Sequence, residues 1–503
     1  MTMRPLGVVM SSDVRGYGGY RLATGFGIGR FTGRQVSLVA GVAAVVLITM
    51  NFSFRWALVL AAVAVPVIVV GVVPWGSARR TIAARVSWFA RRTEARTRSL
   101  DAVAAGPLRE VPRGQTLPGV LAPLLPLDVE DGRGGTQCLL WNRRTGIVSA
   151  VLLVSPVGIT LADAEDANSW VTTFGGWMAD LGYKPMISSV SFTVESSPTG
   201  GVNQRSYTQG RIDPKAPAVA RKVMHELVAS QPTSTAGVVT TVTINFDPAK
   251  ANPRPKDLMS GAAEVVRWLP GIEASLTASG ATVIGRASTG WLIRRIRSAF
   301  DPAVRVAMSD AESSELTEWA DAGPIRAEAD WEVYRHDSGY SVSWVMTAAP
   351  SGVVRQRILI PLTAPGPYSR RFSMVYKPFL ASQAAEQVER EINAGSLRQA
   401  WAKKTKKDET QRDRDDRAKA RQAAREESLG AGVGRFTMYL TTTVRNEATL
   451  DGAVADTEER AAQTKIRFRR ARGAQPAAFA ASLGLGIDPT SALSRRAVER
   501  WIA

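Results

Sequence analysis

Two long apolar runs dominate the amino-terminal part of the chain. They cover residues 36–54 and 56–75, and the only charged residue between them is Arg55. Each run approaches the ~20 residues that a helix needs to cross a bilayer. Because only residues 51–55 can turn between the runs, the pattern predicts a two-helix transmembrane hairpin over residues 36–75. A buried helical hairpin in a large soluble core is the alternative.

Arginines flank this predicted hairpin on both sides, whereas its connecting loop holds Arg55 alone. The excess of flanking cations predicts a two-pass protein of the plasma membrane with both termini in the cytoplasm, including a cytoplasmic segment at 1–35. Residues 76–105 are expected to contain a basic juxtamembrane helix that lies on anionic lipid headgroups, with a solvated linker helix as the alternative. The residues expected at the membrane interface are Arg55, Trp56, Trp75, Arg79, Arg80, Arg85, Arg91 and Arg92.

The periodicities after residue 105 predict a cytoplasmic α+β part made of two halves, each a sheet with helices. After a linker at 106–126, the first half (residues 106–300) has the element order β-β-α-β-α-β-α, which predicts helices on one face of a sheet. The second half (residues 301–503) echoes part of this order. It is expected to contain a hairpin at 331–347, strands at 354–362, 371–376 and 434–444, and a long charged helix at 381–428.

The net charge narrows the classes of possible partner, and the cysteine content narrows the possible disulfides and metal sites. The 503 residues carry a formal net charge of +18, which suits either anionic lipid or nucleic acid. The most charged run, residues 403–427, interleaves acids with bases and is therefore typical of a solvated helix rather than of a nucleic-acid-binding face. Cys138 is the only cysteine, which excludes an intrachain disulfide and a cysteine-cluster metal site.

The sequence lacks most of the residue patterns that common catalytic sites require. The chain has no phosphate loop, and neither of its histidines lies near a cysteine or the other histidine. His225 falls within a predicted helix and is expected to be structural, whereas His336, at a predicted turn, is expected to be exposed. The sequence thus predicts no catalytic residue, metal ligand or cofactor, and a scaffold is favoured over an enzyme.

Three segments from about residue 285 onward carry a resemblance to conjugation ATPases. Residues 287–302 read ASTGWLIRRIRSAFDP, residues 370–379 read RRFSMVYKPF, and a closing pattern places Gln475, Ala478, Phe479 and Leu483 in order. These segments resemble the non-ATPase amino-terminal part of the TraC/TrbE-type ATPases of conjugation and type IV secretion, although Gly484 stands where proline is usual. The resemblance implies their scaffold without the motor, with Phe479 and Leu483 as candidate partner contacts.

The layout as a whole is similar to a membrane-protein family of actinobacterial conjugative elements, through YGGYRL at 17–22, LPGVLAPL at 117–124 and VTTFGGWMADLGYKP at 171–185. Members of that family are encoded beside a PrgI-like membrane protein and a TraC/TrbE-type ATPase. The resemblance implies a membrane-anchored scaffold of a DNA-transfer apparatus that docks such an ATPase or further copies of itself. Two alternatives stay open, namely a type VII secretion component of the EccE kind and a basic, membrane-tethered DNA-binding protein.

Overall fold

A computed structural model describes residues 33–71, 117–132, 134–158, 162–200, 212–213, 215–230, 234–305, 308, 318–350, 354–380 and 434–489. Two predicted elements, the juxtamembrane helix within 76–105 and the charged helix at 381–428, lie outside these residues. So do the segment 1–32 and the interface residues Trp75, Arg79, Arg80, Arg85, Arg91 and Arg92.

Two consecutive helices occupy the apolar runs near the amino terminus. Helix α1 covers Gly33–Phe52 and helix α2 covers Phe54–Gly71, so that Ser53 alone separates them. The break falls inside the predicted window of residues 51–55, which confirms the division of this region into two helices.

The first half of the body contains the predicted strands and helices in order, with an additional strand at its beginning and an additional strand and helix at its end. Strand β1 (Leu124–Glu130) starts inside the segment that was expected to be a linker. The elements that follow are β2 (Thr136–Asn142), β3 (Val148–Pro156), α3 (Ala164–Asp180), β4 (Ile187–Gly200), α4 (Ala218–Ser230), β5 (Ser234–Phe246), α5 (Leu258–Ala278), β6 (Ala281–Arg286) and α6 (Thr289–Phe300).

The second half departs from the prediction between residues 354 and 362. No strand forms there. The amides of Ile358 and Ile360 instead donate to the carbonyl oxygens three residues earlier, which forms turns, and Pro361 lies in the first turn of a short helix, where its missing amide hydrogen is tolerated. The elements of this half are β7 (Ala327–Ala329), β8 (Tyr334–His336), β9 (Gly339–Ala348), α7 (Ile360–Thr363), β10 (Ser369–Pro378), β11 (Gly434–Val444), α8 (Leu450–Gln463), β12 (Arg467–Arg470) and α9 (Gln475–Ser482).

The strands of both halves join one antiparallel sheet, with the order β1-β2-β3-β5-β4-β10-β11-β9-β8-β7. Read outward from the β4–β10 pair, the two sides match, because β5, β3, β2 and β1 on one side correspond to β11, β9, β8 and β7 on the other. The match extends to β6 and β12, which pair with β3 and β9. The echo between the halves is therefore confirmed in element order.

Helices cover both faces of the sheet, so the expectation of helices on one face was wrong. Helices α3 and α5 pack on one face of the first half, and α7 and α8 pack on the same face of the second. On the opposite face, α6 and α9 cover residues that alternate with the first set along each strand. In β5, for example, Val242 and Ile244 face α5, whereas Thr243 donates a hydrogen bond to the carbonyl oxygen of Gly484, just after α9.

Gly484 is required by the close approach of its segment to the sheet. Its φ of 70° lies in the left-handed region, and a Cβ atom would collide with the side chain of Thr193. Proline, whose φ is fixed near −65°, cannot adopt this conformation. Glycine rather than proline therefore suits this position.

Candidate interaction surface

The helices α1 and α2 expose large apolar side chains along their length. Leu47, Phe52 and Val63 have 63%, 86% and 63% of their surface exposed, and Trp56 is 70% exposed. Arg55, at the start of α2, is exposed as well. Within the residues that the structure describes, no helix has both the length and the apolar character needed to cross a membrane.

A two-stranded arm extends from the middle of the sheet. Strand β4 pairs with β10 only as far as Ser196, and β5 pairs with β3 only from Thr240 onward. Beyond these points β4 and β5 continue to pair with each other, as far as Gly200 and Ser234. We call the described residues between Ser196 and Thr240 the arm. Helix α4 belongs to the arm, because it lies in the chain between its two strands.

Helix α4 presents an apolar stripe to the solvent. Its residues 218–227 are all exposed, including Val219, Val223, Met224 and Leu227. The spacing of these four residues places them on one side of the helix. Lys222 and Glu226, four residues apart, border one edge of this stripe. His225 lies on the polar side of α4 and is exposed, so it does not contribute to the core.

At the base of the arm, a carboxylate with little exposed surface meets three arginines. Glu195, on β4, lies 2.9 Å from Nη2 of Arg305, 3.3 Å from Nε of Arg371 and 3.5 Å from Nη2 of Arg295. Arg371 belongs to β10, Arg295 to α6, and Arg305 to the segment after α6. The four side chains thus connect the base of the arm to the second half of the sheet and to the helix on its second face.

The electrostatics of this cluster fix its ionisation. Burial by itself would raise the pKa of Glu195, but the guanidinium groups of Arg371, Arg305 and Arg295 hold that pKa well below its usual range. Burial lowers the pKa of Arg295 to about 10, which leaves this side chain charged at neutral pH. Among the described residues, Nη2 of Arg295 has no hydrogen-bond partner. The cluster therefore depends on Glu195 as its counter-charge.

His336 is buried, which contradicts the expectation that it lies exposed at a turn. Its Nδ1 lies 2.5 Å from the carbonyl oxygen of Phe300, and its Nε2 lies 2.8 Å from Oγ of Ser341. Since a carbonyl oxygen can only accept, Nδ1 carries the proton and Nε2 accepts from Ser341. Burial lowers the pKa of His336 to about 4, so the ring is neutral at physiological pH.

Phe479 and Leu483, the candidate partner contacts, lie in the core. Phe479 is fully buried, and its ring contacts those of Phe300, Tyr334 and His336. The guanidinium carbon of Arg371 lies 5.3 Å from the centre of the Phe479 ring, which links this aromatic cluster to the arginine cluster. Neither Phe479 nor Leu483 is available on the surface of the described chain.

Sequence reasoning predicted the helix of the arm but not its exposure. The helical spacing of apolar residues in 218–227 would equally suit a helix that packs on the sheet. The pattern alone therefore could not show whether the apolar side of this helix is buried or exposed. The arginine cluster left no local signal either, because Glu195 and Arg371 are 176 positions apart in the chain. In the described part of the chain, no group of three or more His, Cys, Asp or Glu side chains is placed to hold a metal ion.

A comparison with models of known protein families finds no match for this chain, and a comparison with proteins of curated function finds none either.

Proposed function

We propose that this chain is a membrane-anchored structural subunit of a conjugative, type IV secretion-like apparatus, which docks a partner ATPase rather than acting as the motor. The observation that carries the proposal is the exposed apolar surface of α1 and α2, including Leu47, Phe52 and Val63. Large apolar patches of this kind are unusual on a soluble monomer and mark an interaction with a membrane or a protein. Burying one such side chain stabilises the buried state by roughly 1.5–3 kcal/mol.

The charge of the chain favours a membrane as the partner of this surface. Residues 76–98, shortly after α2, contain seven arginines and no lysine, and their one acidic residue is Glu94. A cationic segment next to an apolar anchor gains affinity from anionic headgroups. This segment, α1 and α2 are proposed to hold the chain at the cytoplasmic membrane, with both termini on the cytoplasmic side.

The body is suited to a platform because a single sheet runs through both halves. A partner that binds one half therefore transmits force to the other without crossing a flexible linker. The resemblance to the scaffold part of TraC/TrbE-type ATPases makes an ATPase of this type, together with a PrgI-like protein, the proposed partner.

Two measurements test the proposal. The first is fractionation of cells that express the full chain, in which the protein is expected in the membrane pellet and resists extraction by salt. A Leu47→Arg, Val63→Arg double variant should shift it to the supernatant, while Ile284→Arg, at an equally exposed apolar residue on β6, should not. A supernatant location of the unaltered protein would refute the anchor.

The second measurement is a crosslinked pull-down of the full chain from membranes of its native host, with partners identified by mass spectrometry. Recovery of a TraC/TrbE-type ATPase with a PrgI-like protein would support the proposal. Recovery of type VII secretion components would replace it with that machine, and recovery of DNA alone would favour the DNA-binding alternative, whose affinity falls steeply with salt.

A further inference from the structure

The side chains of α4 are arranged so that the helix complements itself. Val219 and Leu227 lie at equal distances before and after Val223, and Lys222 and Glu226 lie on the same edge of the apolar stripe. Turning the helix end over end about its centre therefore brings Val219 close to the position of Leu227, and Lys222 close to that of Glu226. After the same rotation, the apolar stripe still faces in its original direction.

We propose that α4 pairs antiparallel with α4 of a second copy of this chain. The pair buries the two apolar stripes against each other, and Lys222 of each copy meets Glu226 of the other. This gives two equivalent ion pairs on one side of the interface. A parallel pair would instead bring Lys222 beside Arg221 of the second copy, because Arg221 borders the opposite edge of the stripe, and like charges would then meet.

The position of α4 on the arm makes such a pair accessible. The strands of the arm extend past β10 on one side and past β3 on the other, so α4 is joined to the body by a two-stranded stalk. Val238 and Val239, on the β5 side of this stalk, are also exposed apolar residues. The exposed side chains of α4 therefore belong to a part of the chain that lies outside the pairing limits of β3 and β10.

The area that the helix pair buries determines the conditions under which the pairing is stable. A helix of 13 residues is about 20 Å long, and one helix pair buries less than the roughly 1,200–2,000 Å² of a stable complex. The contact is therefore weak in dilute solution. Anchoring in a membrane, which is part of the proposed function, raises the effective concentration of the arms and makes the pairing significant.

A second copy fits this surface better than a lipid surface does. A helix that lies on anionic headgroups carries cations along both edges of its apolar face. In α4 the acidic residue Glu226 borders one edge, where it would be repelled by the headgroups. In the antiparallel pair, the same carboxylate has a lysine of the second copy opposite it.

Cysteine crosslinking of the full-length protein in membranes tests the geometry. Val223→Cys, near the centre of the pair, is expected to give a disulfide-linked dimer under mild oxidation. Val219→Cys is the matched control, because two such residues lie about 12 Å apart along the antiparallel helices, beyond the roughly 4.4–6.8 Å between Cα atoms that a disulfide needs. The unaltered chain, whose Cys138 is buried, gives the background.

Charge reversal tests the ion pairs in the Val223→Cys background. Lys222→Glu and Glu226→Lys should each lower the dimer yield by about fivefold or more when the variant is expressed alone, because like charges then meet twice. Co-expression of the two variants with different tags should restore the mixed dimer to the yield of the parent. Arg221→Glu, on the other edge, should leave the yield within about twofold.

Several outcomes would overturn the pairing. A Val223→Cys protein that forms no dimer would do so, as would a Val219→Cys protein that crosslinks equally well. So would a dimer yield that does not change on charge reversal, or a crosslink of Val223→Cys to a different protein alone. Fractionation of the same sample reports on the anchor separately. A membrane-bound protein without the crosslink refutes the pairing alone, whereas a crosslinked protein in the supernatant refutes the anchor alone.

Discussion

Arg371 and Glu195 lie directly opposite each other on β10 and β4, the two strands through which the halves of the sheet meet. The Nε atom of Arg371 is 3.3 Å from the carboxylate, and both side chains lie beneath the covering helices. The junction between the halves is thus held by charge as well as by backbone hydrogen bonds.

Replacing Glu195 with glutamine should strongly destabilise the protein. The substitution leaves three guanidinium groups with little solvent contact and no counter-charge, and removal of one partner from a buried ion pair costs roughly 3–5 kcal/mol. The measurement is the free energy of unfolding in denaturant. Glu447→Gln is the matched control, because its partner Arg335 is an exposed residue and a surface pair contributes about 0–1 kcal/mol. Equal effects of the two substitutions would show that the cluster is not a structural requirement.

The stability of the protein should fall between pH 7.5 and pH 5 because of His336. Its pKa is about 4 in the folded state, compared with about 6.5 in an unfolded chain, so over this interval the unfolded state binds the proton and the folded state does not. Stability contributed by the neutral ring is complete above pH 6.5 and is lost as the pH falls toward 4. The expected loss is about 2 kcal/mol between pH 7.5 and pH 5.

This pH dependence is measured by unfolding in denaturant at the two pH values. His336→Gln should remove about 2 kcal/mol of the difference, whereas His225→Gln, at an exposed position, should keep it unchanged. A His336→Gln protein with the pH dependence of the parent would assign that dependence to other groups.

Alanine at Gly484 should destabilise the protein more than alanine at Gly119. Both glycines have a positive φ, of 70° and 61°, but a Cβ atom at Gly119 would meet no other atom within 4 Å, whereas at Gly484 it would collide with Thr193. Gly119→Ala therefore measures the backbone strain alone, about 1 kcal/mol, and Gly484→Ala adds the collision, about 1–3 kcal/mol more. Thermal unfolding of the two variants compares these costs, and similar melting temperatures would refute the close approach.

Cys138 should react with a thiol reagent only after unfolding. Burial raises the pKa of its thiol to about 11, so the reactive thiolate is scarce at neutral pH, and the sulfur lies inside the core beneath α6. The rate of thiol modification at pH 7.5 should rise sharply in denaturant. Fast modification of the native protein would contradict the burial of β2.

Local patterns were sufficient for most elements of the body, but not for those whose environment is set by distant residues. Strand β11 and helix α5 follow their periodicities closely. The predicted linker includes the first three residues of β1, up to Pro126, and proline is tolerated there since β1 lies at the edge of the sheet.

The environment of His336 shows the limit of such reasoning at the site. The neighbouring turn suggested exposure, but Phe300 and Phe479, which are 36 residues before it and 143 after it, cover the ring. The exposed stripe of α4 has the opposite cause. It resembles a core-facing helix in sequence, and only the pairing limits of β4 and β5 show that it belongs to an arm.

Because β4 and β10 run in opposite directions, the two long excursions of the chain leave the sheet at opposite ends. The arm departs where β4 passes Ser196, next to the start of β10, whereas the connection from β10 to β11 departs from the Pro378–Gly434 pair, next to the start of β4. Either excursion can lengthen, shorten or change its contacts without altering the register at the other end. The sheet thereby separates the two excursions, so that the sequence of each can change independently of the other.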